Sequence, residues 1–99
     1  MTDQIVETRY FTSYSGVALP LKLVGEITTD DMENRNTFFE ATYDTQGKLL
    51  VCRKLVYGEV DMEHRYQYNS DGVLHLADIS NDGDDFQTIH FDAQGQRLD

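Results

Sequence analysis

The chain has no tryptophan, one cysteine, one proline, and only eight lysines and arginines against eighteen aspartates and glutamates. Each scarcity excludes something. A lone Cys52 forms neither a disulfide framework nor a cysteine-based zinc site. The formal charge of −10 and a pI near 4.4 argue against a surface for nucleic-acid phosphates. No apolar run approaches the ~18 residues of a membrane span. The acidic start Met1-Thr2-Asp3-Gln4 lacks the features of a secretory signal. A cytoplasmic domain is expected, with no cofactor, no metal, no nucleic acid and no membrane among its partners.

What is present points to a fold. Six tyrosines and five phenylalanines are too many aromatics for simple disorder, although the apolar share is a low 39%. At 99 residues there is room for one domain spanning 1–99 and a modest core. Tyr43-Asp44-Thr45-Gln46-Gly47, Tyr68-Asn69-Ser70-Asp71-Gly72 and Phe91-Asp92-Ala93-Gln94-Gly95 repeat the pattern aromatic-Asx-x-x-Gly at offsets of 25 and 23 residues. Asx at the second position accepts a hydrogen bond from the backbone two residues on and starts a type I turn. The glycine takes the left-handed conformation of a G1-bulge hairpin. Three such turns predict a meander of antiparallel strands near 37–43, 48–57, 60–68, 73–80 and 85–91.

Counting outward from the turns sets a register. Tyr43 meets Leu49 and Ala41 meets Val51; Tyr68 meets Leu74 and Tyr66 meets Leu76. Gly58-Glu59 suits a type II′ turn, which sets Tyr57 opposite Val60 and Leu55 opposite Met62. Leu76 then meets Ile89, and Leu74 meets Phe91, beyond a loop at Asn81-Asp82-Gly83-Asp84. These pairs share one apolar face, and a one-residue slip would reverse it.

Upstream, Ile5 to Tyr14 and Val17 to Val24 read as two strands around Ser15-Gly16. Leu19, Leu21 and Leu23 alternate there, and Pro20 marks an edge or a bulge. Thr28 to Asn36 suits a short helical turn with a threonine cap and acids at its positive end. The expected fold is all-β: an antiparallel meander of about six to seven strands, sandwich-like or a partly closed barrel, with one helical turn near 29–35. Its parts are an N-terminal hairpin over 5–24, a helical or loop segment over 28–36 and the repeat-bearing meander over 37–98.

The runs Arg9-Tyr10-Phe11-Thr12-Ser13-Tyr14-Ser15-Gly16-Val17, Leu19-Pro20-Leu21-Lys22-Leu23-Val24, Asn34-Arg35-Asn36-Thr37, Val56-Tyr57-Gly58-Glu59 and His64-Arg65-Tyr66 resemble a small bacterial domain family of unknown function. The resemblance covers about residues 9 to 95 and implies no activity, so it assigns no catalytic residues. The three turns are also similar, in architecture only, to the tyrosine-aspartate repeats of large toxin shells.

The register places Phe39, Arg53, His64, Asp78 and Gln87 in one cross-strand row on the core face. Arg53, His64, Asp78 and Gln87 side by side suit a small polar or anionic ligand, and His64 against Asp78 is a base-and-orienter pair. The plainer alternative is a core rim where Arg53 and Asp78 neutralise each other. No nucleophile, cofactor fingerprint or oxyanion element accompanies the row, so no catalytic residue is named. Asp78, Asn81, Asp82, Asp84 and Asp85 surround Gly83. Aligned with an EF-hand loop they leave Ser80 third and Ile89 twelfth, without the bidentate acid, so a solvated hairpin tip is expected. His75 and His90 share the other face near Gln67 and lack a third metal ligand. Cys52 is expected on that face close to Arg65.

That second face also carries Leu50, Val56, Ala77, Ile79 and Phe86, so part of it needs cover. Phe11, Pro20, Leu50, Val56, Ile79 and Phe86 are the interface candidates. The leading functional reading is a non-enzymatic binding or protein-interaction module that meets a partner protein or a second copy. The alternatives are a small-ligand domain or minor enzyme on the Arg53–His64–Asp78–Gln87 row, and an acidic nucleic-acid mimic. The mimic is weakened by acids spread among turns, which solubility explains.

Overall fold

The three repeated pentapeptides form the turns their chemistry dictates. In the computed structural model, which describes residues 7–16, 19–33 and 35–98, the Gly47 N–H donates to the Asp44 carbonyl at 3.1 Å and the Asp44 N–H to the Lys48 carbonyl at 3.0 Å. The Asp44 carboxylate accepts the N–H groups of Gln46 and Lys48 at 2.8 and 2.9 Å. Gly47 closes the turn at φ 80°, a region costly for any residue with a Cβ. Asp92 repeats the arrangement with Gln94 and Gln96. Asn69 keeps the backbone pattern, while Asp71 supplies the carboxylate that accepts from the Val73 N–H.

Among the described residues seven strands result: β1 (Glu7–Ser15), β2 (Lys22–Ile27), β3 (Thr37–Tyr43), β4 (Leu49–Val56), β5 (Glu59–Tyr68), β6 (Leu74–Ser80) and β7 (Gln87–His90), with one helical turn, α1 (Thr29–Met32). They form a single antiparallel sheet in the order β2-β1-β3-β4-β5-β6-β7, and the sheet is not closed. The N-terminal strands therefore extend the sheet at one edge. α1 carries the chain past β1 to β3. Its Thr28 cap and Asp31 bond reciprocally, with Asp30 and Asp31 in the first turn as expected. The expected strand starts at Ile5 and Val17, and Asn34, lie outside the described residues.

The register departs from the count in a regular way. Tyr43 meets Leu49, but Thr42 meets Val51, leaving Leu50 as an extra residue. Leu55 meets Val60 and Lys54 meets Met62, leaving Asp61 extra. Tyr68 meets Leu74 and Gln67 meets Leu76, leaving His75 extra. In each hairpin the bulge falls two residues after the residue that closes the turn (Lys48, Glu59 and Val73). A bulge increases local twist and reverses which residues of the strand face inward. The β4–β5 turn is also displaced from the expected one. It is Tyr57-Gly58, with φ 52° and 82°, a type I′ turn between Val56 and Glu59.

The core follows the corrected register. Phe11, Leu21, Phe39, Ala41, Leu49, Cys52, Tyr66, Leu74, Ala77, Ile89 and Phe91 are buried together. Val51, Leu55, Val60 and Leu76, expected inside, are only half-buried, and Tyr57 is exposed. Cys52 and Ala77 replace them because Ala41 pairs with Cys52, and Tyr66 with Ala77 and through it Ile89.

Part of the cover over this face comes from the segment around Pro20. Ser15 pairs with Lys22, so Gly16 and residues 19–21 lie outside the two strands where a tight Ser15-Gly16 turn was expected. The Leu19–Pro20 peptide bond is cis. Leu21 is buried, Leu19 and Leu23 pack on the core, and the Leu21 N–H donates to the Tyr66 hydroxyl at 3.2 Å. Removing that hydroxyl leaves a buried N–H unpaired. Tyr66→Phe is therefore expected to lower unfolding free energy by about 1–3 kcal/mol in urea titrations; an unchanged midpoint would show that the loop is held by its leucines alone.

Candidate functional site

The expected row of Arg53, His64, Asp78 and Gln87 does not form. The displaced turn and the bulges at Asp61 and His75 set Arg53 opposite Glu63, and His64 opposite Cys52 and Ile79. Asp78 faces Arg65 and Thr88, while Gln87 faces Ile79. His64 and Gln87 thus share a face with Ile79 between them; Arg53 and Asp78 lie on the other. The Arg53 guanidinium reaches Glu40 at 3.6 Å and Glu63 at 3.5 Å, and Arg65 Nε meets Glu63 at 2.6 Å. Glu63 is buried between the two arginines, which hold its carboxylate as a structural ion pair. Asp78 accepts from the Thr88 hydroxyl.

His64 stands 2.7 Å from the Tyr66 hydroxyl through Nδ1. That hydroxyl also accepts from the Leu21 N–H, and with the imidazole neutral and its proton on Nε2 it donates its own proton to Nδ1. Burial lowers the His64 pKa and raises that of Tyr66. Burial also pushes the Cys52 thiol up to about 12, so it stays protonated. Cys52 lies beside His64 on the core face, and Arg65 is on the other. The bonds from Leu21 through Tyr66 to His64 hold the loop on the sheet, and the buried Cys52 thiol is not activated. Among the described residues, no three His, Cys, Asp or Glu side chains are grouped to hold a metal ion. His75 and His90 are both exposed.

The interface candidates divide. Phe11 is buried in the core, Pro20 sits half-buried in the loop on it, and Leu50 is the half-buried bulge of β4. Val56, Ile79 and Phe86 instead line two neighbouring cavities at one end of the sheet. One, of about 360 Å³, is formed by Val56, Tyr57, Glu59, Val60, Asp61 and Asp82. The other, of about 320 Å³, holds Ile79 and Phe86, and Asp82 borders both. The β6–β7 loop folds against β5 to make them. A Cβ on Gly83 would lie 2.7 Å from the Val60 carbonyl oxygen, and the Arg65 guanidinium lies 4.3 Å from the Phe86 ring centroid. Ser80 and Asp82 brace the loop. The Ser80 hydroxyl donates to Asp82 and accepts the Gly83 N–H, while Asp82 accepts the N–H groups of Asp84 and Asp85. Those bonds, with the Asp84 N–H first, hold the Asp82 carboxyl below its ordinary range.

Tyr57 is another residue that counting from the turns placed wrongly. It is 76% exposed at φ 52°, an uncommon conformation for a bulky residue. Asn36 holds it twice: the Tyr57 N–H donates to the Asn36 carbonyl at 2.7 Å, and Asn36 Nδ2 donates to the Tyr57 hydroxyl at 3.2 Å. The signal available was Tyr-Gly as a two-residue turn, which competes with the Gly-Glu choice.

Compared with known families, residues 3–99 match a family of unknown function, DUF6156. No curated protein and no solved structure matches the chain. Among the described residues no helix is long and apolar enough to cross a membrane.

The neutral His64 has a consequence for stability. The unfolded chain takes up a proton at this histidine below about pH 6.5, whereas the folded chain resists until its lowered pKa is reached. This contribution is complete above about pH 6.5 and is lost as pH falls from there toward the folded value. His64→Gln keeps an acceptor for Tyr66 and removes the titration. Denaturation at about pH 7.5 and 5.5 should show a smaller pH-dependent loss in the variant than in wild type; equal losses would assign the effect elsewhere.

Proposed function

The chain belongs to the DUF6156 family, whose function is unknown, and we propose that it is a non-enzymatic, cytoplasmic interaction module that docks a basic segment of a partner protein. The docking surface is the end of the sheet around Tyr57. The observation that carries this reading is Tyr57 itself, an aromatic ring held out in solvent in a conformation that glycine or asparagine would adopt more cheaply. Beside it the cavity offers an aliphatic floor of Val56 and Val60 and the carboxylates of Glu59, Asp61 and Asp82. An arginine side chain suits that combination: its stem lies along the valines, its guanidinium meets the carboxylates, and its charge stacks on the ring. The excess of ten negative charges favours the encounter with a basic partner. The single buried thiol agrees with a reducing compartment.

Tyr57→Asn separates docking from folding, because Asn-Gly is the preferred type I′ dipeptide. The variant is expected to be at least as stable as wild type. Titrating ¹⁵N-labelled protein with a short oligo-arginine peptide should shift the amides of Glu59, Val60, Asp61 and Asp82, and the variant should bind roughly fivefold more weakly. Shifts spread evenly over Asp30, Asp44 and Asp71, or an unchanged affinity in the variant, would overturn the reading.

A further inference from the structure

The cavity beside Tyr57 has a neighbour built from the same kinds of group. Asp82 borders both. The first cavity joins Val56 and Val60 to the Tyr57 ring, and the second, of about 320 Å³, joins Ile79 to the Phe86 ring. Phe86 is 37% exposed, so each cavity has an aromatic ring open to solvent. Asp85 also lines the second cavity, and among the described residues its carboxylate has no partner.

Asp82 is held where two cations can share it. The Ser80 hydroxyl and the N–H groups of Asp84 and Asp85 all bond Oδ1, at 3.0, 2.9 and 3.0 Å. Oδ2 is left without a partner among the described residues. The outer face of the sheet already shows what such a carboxylate can hold. Glu63 is shared by Arg53 at 3.5 Å and Arg65 at 2.6 Å, and the Arg65 guanidinium also lies 4.3 Å from the Phe86 ring centroid. One carboxylate between two guanidiniums, with an aromatic ring against one of them, is thus a contact this chain makes within itself.

We infer that the basic segment docking at the Tyr57 end carries two arginines at alternate positions, Arg-x-Arg, the second entering the Ile79–Phe86 cavity and sharing Asp82 with the first. This rests on the docking of a basic segment at Tyr57 and adds the identity of that segment. Two guanidiniums on opposite sides of one carboxylate stand about 7–8 Å apart. Alternate side chains of an extended segment point the same way at about 6.6 Å, whereas adjacent ones point to opposite sides. The second guanidinium meets Asp85 as well as Asp82, and its stem lies along Ile79.

The test uses three peptides in one uncharged frame, containing Arg-Thr-Arg, Arg-Arg-Thr or Arg-Thr-Gln, titrated into the ¹⁵N-labelled whole chain at about 0.15 M salt. The first two carry the same charge and differ only in spacing. Arg-Thr-Gln should shift the amides of Glu59, Val60 and Asp61. Arg-Thr-Arg should also shift those of Asp85, Phe86 and Gln87 and bind about fivefold more tightly, while Arg-Arg-Thr stays within about twofold of Arg-Thr-Gln. Asp85→Asn keeps the size of the side chain and removes its charge, so the ratio of the Arg-Thr-Arg to Arg-Thr-Gln affinities should fall to about twofold or less. Equal affinities for Arg-Thr-Arg and Arg-Arg-Thr, an advantage unchanged in Asp85→Asn, or no shift at Asp85, Phe86 and Gln87 would each overturn the inference. Should Arg-Thr-Gln still bind and weaken in Tyr57→Asn in those cases, the Tyr57 reading stands without it. Binding by none of the three peptides would remove both.

Discussion

Successive residues of a strand face opposite sides of the sheet, so one inserted residue exchanges inside for outside along everything that follows. Among the described residues the device recurs at Leu50, Asp61 and His75, each at the same distance beyond a turn. The extra residues bring Ala41, Cys52, His64 and Ile79 into one inward row, with Tyr66, Ala77 and Ile89 in the next. They also coil the sheet. β1 and β5 stand three strand spacings apart, roughly 14 Å across a flat sheet. The loop after β1 nevertheless reaches the Tyr66 hydroxyl, which requires a curved surface. Coiling and the loop around Pro20 together let a single layer enclose a core.

The same reversal sorts the polar groups. Arg53, Glu63, Arg65 and Asp78 go to the outer face, where the arginines compensate Glu63 and the β6–β7 loop gives cover. His64 stays inside, neutral, as the acceptor in a chain from Leu21 through Tyr66. The bonds among the Leu21 N–H, the Tyr66 hydroxyl and His64 Nδ1 fix the loop and the sheet to each other. The surface keeps an exposed tyrosine beside carboxylates at one end of the sheet and, among the described residues, an edge strand, β2, paired on one side only.

How far the sequence could be read follows from the same physics. Turn chemistry is local, so Asp44, Asn69 and Asp92 with their glycines located three hairpins. The pairs nearest those turns, Tyr43 with Leu49 and Tyr68 with Leu74, were legible too. Beyond them the count failed, because Leu50, Asp61 and His75 share no side-chain type that announces a bulge. Apolar residues on both faces of β4 and β6 made either register plausible. Leu19, Leu21 and Leu23 alternate as a strand would, yet the first two lie in a loop, where tertiary packing overrides local pattern. Of the surface residues, Val56, Ile79 and Phe86 were recognisable as apolar side chains on a face needing cover. Tyr57 was hidden by a choice between two adjacent turn dipeptides.

The central claim is the bulged register, and cross-strand nuclear Overhauser effects read it directly. In a ¹³C- and ¹⁵N-resolved NOESY spectrum, backbone protons of His64 should show cross-strand contacts to Cys52 on one side and Ile79 on the other. Contacts from His64 to Arg53 and Asp78 instead would restore the unbulged register, reassemble the polar row and contradict this account of the core.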